Sequence, residues 1–588
     1  MYNGGSLGNT YCSNVNDLQA YLASTHCTAQ TYVSSADPSG YSGFIEDDAC
    51  LIPPPLPPET DPSKPAGGLP EYPQDNNSCS SGAPGGLQSG SIIECRDQIL
   101  YQSIPIIGTP FTINYSSSNQ PAFLPNARHL KLEIAKTLKT YADAYGPLYS
   151  IHVDFRIGSQ WAAKDYKGGI LTNSEPIYFE YDWDGKGADG NEVPGFMRAT
   201  VRITYTYWYV YIVLGGETST DRPHPVTQSM SIPFGRADLT QQKMGSWTIN
   251  AYHYYDRDNQ MLVLGTGTTH DALKFSLRST PENNVRILSE DASEYYDFTT
   301  AGLHLSTTDA KSGIRKYTFE HDNAGRLIAI SDQNGLKTTL TRDTNGNLAA
   351  ITSPYGIATK VAVSSDGYLS EIKDPMGRST LFTYGIDAQK GLMLSMTNAA
   401  GHTKYYNYDA SAHLISSKDY RGSEKKISKT TARTAAGKDW SMVTFSSPMG
   451  RNTLYETTKS GISISFKNTE PSGQVARHTH NYITNRKYTR YNDGRTIDIK
   501  SVRDMGRFRD QFVVSSITKT GISSSKIAFD RTYTLNNPKD PYSMTSHNLE
   551  TKLLEPASTE GEPDTLIGTY KVNYDVAARK EISQTPSG

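Results

Sequence analysis

The sequence predicts an all-β protein: a repeated antiparallel β-strip that curls into a partial shell, with an immunoglobulin-like β-sandwich inserted near its start. Three observations predict it. From Gly325 onward, glycines recur in two interleaved series, Gly325, Gly346, Gly367 and Gly335, Gly356, Gly377, so the chain repeats itself about every 21 residues. The pattern slips once and resumes as Gly391, Gly401, Ala412 in a glycine slot, and Gly422. Second, the chain holds 39 tyrosines and 48 glycines, the pairing of half-buried strand residues with tight-turn residues that a hairpin-rich protein needs. Third, segment after segment alternates apolar with polar residues, the period of a strand.

Taken in order, residues 1–52 form a polar segment containing Cys12, Cys27 and Cys50, with one short helical pattern over Val15–Leu22. Residues 53–90 carry Pro53-Pro54-Pro55-Leu56-Pro57-Pro58, then Pro62, Pro65, Pro70, Pro73 and a Ser/Gly run. Proline at this density favours an extended polyproline II linker. Residues 91–127 and 223–299 read as entry strands of the strip, among them Thr112-Ile113-Asn114-Tyr115, Gly245–Asn250 and Met261–Leu264. Between them, 128–222 alternates through Ser150–Ile157, Ile177–Tyr181 and Arg198–Val213, with a tight acidic turn at Asp182-Trp183-Asp184-Gly185 and a closing Pro/His turn at Arg222–Pro225. About seven strands in a hundred residues suggest the sandwich. Residues 300–588 hold the repeats, each supplying two strands of about five residues separated by glycine turns. A single hairpin is marginal in water, so neighbouring repeats must pair laterally.

Composition excludes several classes. At 588 residues the chain exceeds one ordinary core. A net charge of −3 gives no nucleic-acid footprint. The longest apolar stretch, Val210–Leu214, is far shorter than the ~20 residues that span a bilayer. All five cysteines, Cys12, Cys27, Cys50, Cys79 and Cys95, lie near the amino end at wide spacings. That favours disulfides of an exported segment over a zinc site, with one thiol left over.

The repeats resemble the Rhs, or YD-repeat, family. Phe319–Leu327 with Ile330–Gly335, Arg342–Leu348 with Ser353–Gly356, and Asp366–Leu369 with Asp374–Gly377 look like successive units. The Tyr-Asp dipeptide that names the repeat stands at Tyr408-Asp409 and Tyr574-Asp575, and is replaced elsewhere by His-Asp or Arg-Asp. Ile104–Phe111 through Ser117, and Gly245–Trp247 through Gly265, are similar to the entry segments of large bacterial members, and Phe179–Tyr211 to the sandwich inserted between them. The resemblance implies a hollow β-shell, commonly enclosing a C-terminal toxin, with an Asp-Pro-x-Gly core motif beside a self-cleavage site near its end. Asp374-Pro375-Met376-Gly377 matches those letters but lies in phase with the repeats, so it is read as repeat only. The stop in mid-repeat at Gln584–Gly588 reads as the amino-terminal part of a longer protein, with an open strand edge near Tyr574–Gly588.

Chemistry is sparse. Gly265-Thr266-Gly267 follows a strand but opens no helical pattern, which argues against a dinucleotide site. Asp182, Asp184 and Asp189 could offer oxygens to calcium, but Val193 stands where an EF-hand needs its bidentate Glu, so a polar turn is favoured. His478 and His480 share one strand face without a third ligand nearby and read as surface histidines. No catalytic, cofactor-binding or metal residue is assigned, and no cofactor. The expected role is a non-catalytic shell segment of a secreted or cell-surface protein. Its expected partners are a C-terminal toxin domain, a secretion apparatus or cell-surface glycans, without nucleic acid or a membrane span. The alternative is a teneurin-like adhesion or carbohydrate-binding protein.

Overall fold

The computed structural model describes residues 6–7, 10–11 and 90–586, apart from 124–127, 136–147, 168–176, 213–217, 273–276, 281, 435–438, 461–462, 505, 509–511, 522–523 and 558–562. The helical pattern at Val15–Leu22, the proline linker and four of the cysteines lie outside those residues. Cys95 is described. It is disulfide-bonded and fully buried.

Strand is the dominant element. β1 (Ser6–Leu7) and β2 (Thr10–Tyr11) form a small hairpin. β3 (Gly90–Glu94), β4 (Ile99–Pro105) and β5 (Thr112–Ser116) join β12 (Thr248–Ile249) in a sheet of order β12-β5-β4-β3, hereafter the entry sheet. Between β5 and β12 come β6 (His129–Ala135), β7 (Leu148–Ile157), β8 (Gln160–Lys167), β9 (Ile177–Asp182), β10 (Phe196–Ile212) and β11 (Thr218–Gly235). They make a four-stranded sheet, β11-β10-β7-β8, and a two-stranded sheet, β6-β9. The two sheets share one apolar core built from Leu130, Leu132, Phe155, Phe179, Val201 and Ile232. β13 (Tyr254–Asp256), β14 (Met261–Val263) and β15 (Thr269–Asp271) form a three-stranded meander.

The remaining 26 strands make one continuous antiparallel meander from Leu277–Ser279 to Lys580–Gln584, every strand paired with its sequence neighbours. Each repeat turn is built alike. At Asp322–Arg326, the Gly325 N–H donates to the Asp322 carbonyl and the Asp322 N–H to the Arg326 carbonyl, both at 2.9 Å. Asp322 Oδ1 accepts the Ala324 and Arg326 N–H groups at 3.0 and 2.9 Å. This is a type I turn closed by a left-handed residue, the usual five-residue hairpin with a bulge. Asp332, Asp343, Asp374, Asn398, Asp409 and Asp419 repeat the same side-chain capping. Gly325 has φ +74°, and Ala412, in its glycine slot, has φ +64°.

The bulge explains a spacing that simple alternation does not. His321 pairs with Leu327 while Glu320 pairs with Ala329, so one residue is looped out. Leu327 and Ile330, Leu348 and Ile351, and Leu369 and Ile372 are therefore buried together although three residues apart.

Two expectations need correction. Arg222–Pro225 is not a turn: these residues lie inside β11, with Pro223 opposite Trp208 and Pro225 opposite Thr206. β11 is the outer strand of its sheet, so a missing proline N–H on the solvent side breaks no ladder. The four-stranded sheet consequently runs to Gly235 rather than ending at 222. The long meander also begins at Leu277, ahead of the expected residue 300, because the three-residue strand Leu277–Ser279 and its neighbour Val285–Leu288 lack the glycine count that marks later repeats.

Candidate functional site: the inner face of the strip

The strip presents two unlike faces. One carries Thr341, Ala350 and Lys360 in cross-strand register, and beside them Ala362, Glu371 and Leu381, a mostly polar solvent face. The other carries Phe319, Ile330, Leu340, Ile351, Ile372 and Phe382, all buried in one core with Leu100, Ile113, Tyr115 and Trp247 of the entry segments. The entry sheet thus lies on the inner face and fills its first part.

Its attachment follows the repeat. A bulge leaves one backbone N–H without a ladder partner, and an unpaired buried amide is costly. The entry segments supply an acceptor at each in turn. The Leu327 N–H donates to Gln242 Oε1 at 3.0 Å, and the Leu348 N–H to the Lys243 carbonyl at 2.9 Å. The Leu369 N–H donates to the Gly245 carbonyl at 3.2 Å, the Met393 N–H to Tyr115 Oη at 2.8 Å, and the Leu414 N–H to the Gln98 carbonyl at 2.7 Å. Further along, Arg96 stacks 4.3 Å above the Phe466 ring and hydrogen-bonds Asn468. Burial lowers the Arg96 pKa to about 10, with Asp97 and Tyr455 opposing the shift.

Beyond Phe466 the inner face changes. Ile499, Ile517, Ile527 and Leu553 follow one another in register across four strands, with Phe529, Leu549 and Val572 beside them. All are only half-buried, and Tyr570 is exposed. This apolar wall carries no entry strand among the described residues. The strip also curls until its start meets its end. Tyr295 packs edge-on against Tyr542, Arg507 donates to the Ala310 carbonyl, Phe508 shares a core with Leu288, and Lys311 pairs with Glu581 at 2.6 Å. The last strand, Lys580–Gln584, is exposed at every residue and, among the described residues, pairs only with the strand Thr565–Asp575.

The residues singled out in the sequence stay apart. Asp182 pairs with His129 at 2.6 Å; Asp184 accepts from Gln160 and the Lys186 N–H; Asp189 accepts from Asn191. Their carboxylates are occupied by local donors, as in a polar turn. His478 and His480 do share a strand face, but they are not surface histidines. His480 is buried and bonds Asn485 at 2.7 Å, while His478 bonds Thr489 at 2.9 Å and stacks on Phe466. Burial, with His480 adding to it, pushes His478 down to about 4. Asp374 caps an ordinary repeat turn. A recess of about 400 Å3 between Arg286, Asp297, Arg315 and Arg579 holds one carboxylate, and Arg286 binds it through two bonds of 2.7 and 3.0 Å. Nothing there sets up an acid–base pair. The capping row was missed in the sequence: Gln98, Tyr115, Gln242 and Gly245 carry no common letter, and three of the five acceptors are backbone carbonyls.

Residues 282–540 match the Teneurin YD-shell family. No curated protein matches the chain. Among solved structures, the chain is similar to "Crystal Structure of TcdB2-TccC3", with 12% identity and a TM-score of 0.27, covering 88% of this chain and 29% of that one. The structure "Crystal Structure of TcdB2-TccC3-Cdc42" matches with 12% identity and a TM-score of 0.24, over 66% of this chain and 26% of that one. A porin-like protein from Bacteroides uniformis matches with 10% identity and a TM-score of 0.12, over 51% of this chain and 93% of that one. The chain thus spans less than a third of the TcdB2-TccC3 chains. No helix among its described residues is long and apolar enough to cross a membrane.

Proposed function

We propose that the chain is a non-catalytic wall segment of an exported Rhs/YD shell that encloses a toxin polypeptide and delivers it outside the cell. The observation that carries this reading is the apolar row Ile499–Ile517–Ile527–Leu553 on the inner face. A single sheet gains nothing by turning half-buried isoleucines inward onto water, whereas an enclosed, incompletely folded polypeptide would cover them. The entry sheet seals the earlier strands and leaves this stretch for cargo. The two-sheet unit of β6–β11 belongs to the outside of the wall in this reading; its pairing of β6 with β9 and of β7 with β10 supports an immunoglobulin-like insert. A photo-crosslinking residue at Ile527 or at Ala528, its outward-facing neighbour, tests the reading with a polypeptide fused after Gly588. Crosslinks to the fused polypeptide from 527 and not 528 are expected. Equal capture from both, or none, would overturn it.

A further inference from the structure

The outer face of the four-stranded sheet β11-β10-β7-β8 carries one conspicuous feature. Trp161, on β8, is 72% exposed. A tryptophan left in water forgoes about 2–3 kcal/mol of burial, and nothing in the fold asks for it there. Side chains of the same face line up across the strands in rows. Trp161 lies opposite Arg156, Arg156 opposite Thr200, and Thr200 opposite Ser231. The next row runs Ala163, Asp154, Arg202, Ser229, and the one after it Asp165, His152, Thr204, Thr227. Trp161, Arg156, Ala163, Asp165, Arg202 and Ser229 are all exposed. Neighbouring strands step by about 4.8 Å, close to the length of one pyranose residue.

The chemistry of the rows restricts the ligand. His152 is held between two carboxylates, Asp165 at 2.7 Å and Asp154 at 3.3 Å, which fixes both acids in the plane of the face. Trp161 Nε1, Arg156 and Arg202 make no hydrogen bond among the described residues, so a donor set stands ready beside fixed acceptors. Interleaved carboxylates repel a polyanion. A protein partner would be expected to need a contiguous apolar centre, and here one indole is ringed by charged and hydroxyl groups. Edge-to-edge pairing is resisted by Lys164, Asp165 and Lys167 on β8. A polyhydroxylated, uncharged chain suits the face: its C–H surface packs on the indole, and its hydroxyls reach guanidinium, carboxylate and threonine in turn. We propose that this face binds a linear neutral glycan laid across the strands, with Trp161 as the stacking platform and Arg156, Arg202 and Asp165 as hydroxyl partners.

The site does not rest on the shell reading, and its failure would leave that reading untouched. The full chain is tested against immobilised cellohexaose, xylohexaose, mannohexaose, maltohexaose and chitohexaose, with heparin as the polyanionic probe. At least one neutral hexasaccharide is expected to bind. Trp161→Ala should weaken binding by about tenfold or more, the scale of losing one buried aromatic contact. Trp161→Tyr should retain part of it, and Arg202→Ala should weaken it with unchanged thermal unfolding, since both side chains are exposed. No neutral binding at millimolar sugar, binding indifferent to Trp161→Ala, or binding of heparin alone would overturn the proposal. So would self-association of the chain that Trp161→Ala abolishes, which would mark the face as a contact between copies.

Discussion

At the scale of single residues, the fold leans on a few backbone positions and a few buried rings. Gly367 has φ +84° and open space where a Cβ would go, so Gly367→Ala tests backbone conformation alone. A loss of about 1–2 kcal/mol is expected in urea unfolding. Gly245→Ala is a different case: its Cβ would lie 2.3 Å from the Leu369 backbone nitrogen, whose amide the Gly245 carbonyl caps. A cost of at least about 3 kcal/mol is expected there. Acid should act through His253 and His304, stacked 4.9 Å apart and both buried. His253 Nδ1 accepts the Gly265 N–H, and His304 Nδ1 accepts the His253 N–H. Burial, with His270 adding to it, pushes His253 down to about 3; burial and His253 push His304 the same way. The folded rings stay neutral where the unfolded ones, with pKa about 6.5, take up protons. Their stabilisation is therefore complete above about pH 6.5 and lost as pH falls, by about 1.4 kcal/mol per pH unit for each ring. Glu94, pushed up to about 8 by burial and Asp97, works with the opposite slope over its own range. Urea midpoints at pH 7 and pH 5 should show a net loss at pH 5. His253→Asn with His304→Asn, which keeps an acceptor near each Nδ1 and cannot protonate, should flatten the profile.

At the scale of elements, the repeat was legible and its details were not. The glycine count announced the turns, and those from Asp322, Asp332, Asp343, Asp374, Asn398, Asp409 and Asp419 are capped hairpins. Alternation located β5, β7, β9 and β10 to within about two residues of their ends. It failed where geometry overrides period two: the bulge after each turn shifts register, so Leu327 and Ile330 face the same core. It failed again at Pro223 and Pro225, because proline signals a break unless the strand is known to lie at an edge, and edges are a property of the whole sheet. The row of acceptors that meets the bulges was illegible for a related reason. A backbone carbonyl has no letter, and only the paired arrangement shows which amides need a partner. Gln242→Ala removes one side-chain acceptor from this row and leaves the Leu327 N–H unsatisfied. A cost of about 1–3 kcal/mol is expected, with faster hydrogen exchange confined to the turn Asp322–Leu327. Exchange accelerating equally over all five bulges would contradict a row of separate contacts.

At the scale of the whole molecule, one rule organises the chain. A strip of short strands cannot bury its inner face alone, so each bulge amide and each inward leucine is matched by a residue of the entry segments, in order along the strip, from Gln242 at Leu327 to Gln98 at Leu414. The entry sheet is then a template that fixes curvature, and the wall from Ile499 onward carries no entry strand among the described residues. Distant contacts such as Lys311–Glu581 and Tyr295–Tyr542 hold the two ends of the strip near each other without pairing their edges. The most direct test is residue-resolved hydrogen exchange of the intact chain at the amides of Leu327, Leu348, Leu369, Met393 and Leu414. These five should be protected as strongly as the ladder amides of Ala350–Thr352, and far more strongly than those of the exposed strand Lys580–Gln584. Exchange of the five at the rate of Lys580–Gln584 would show that the entry segments do not cap the strip, and the account would fail.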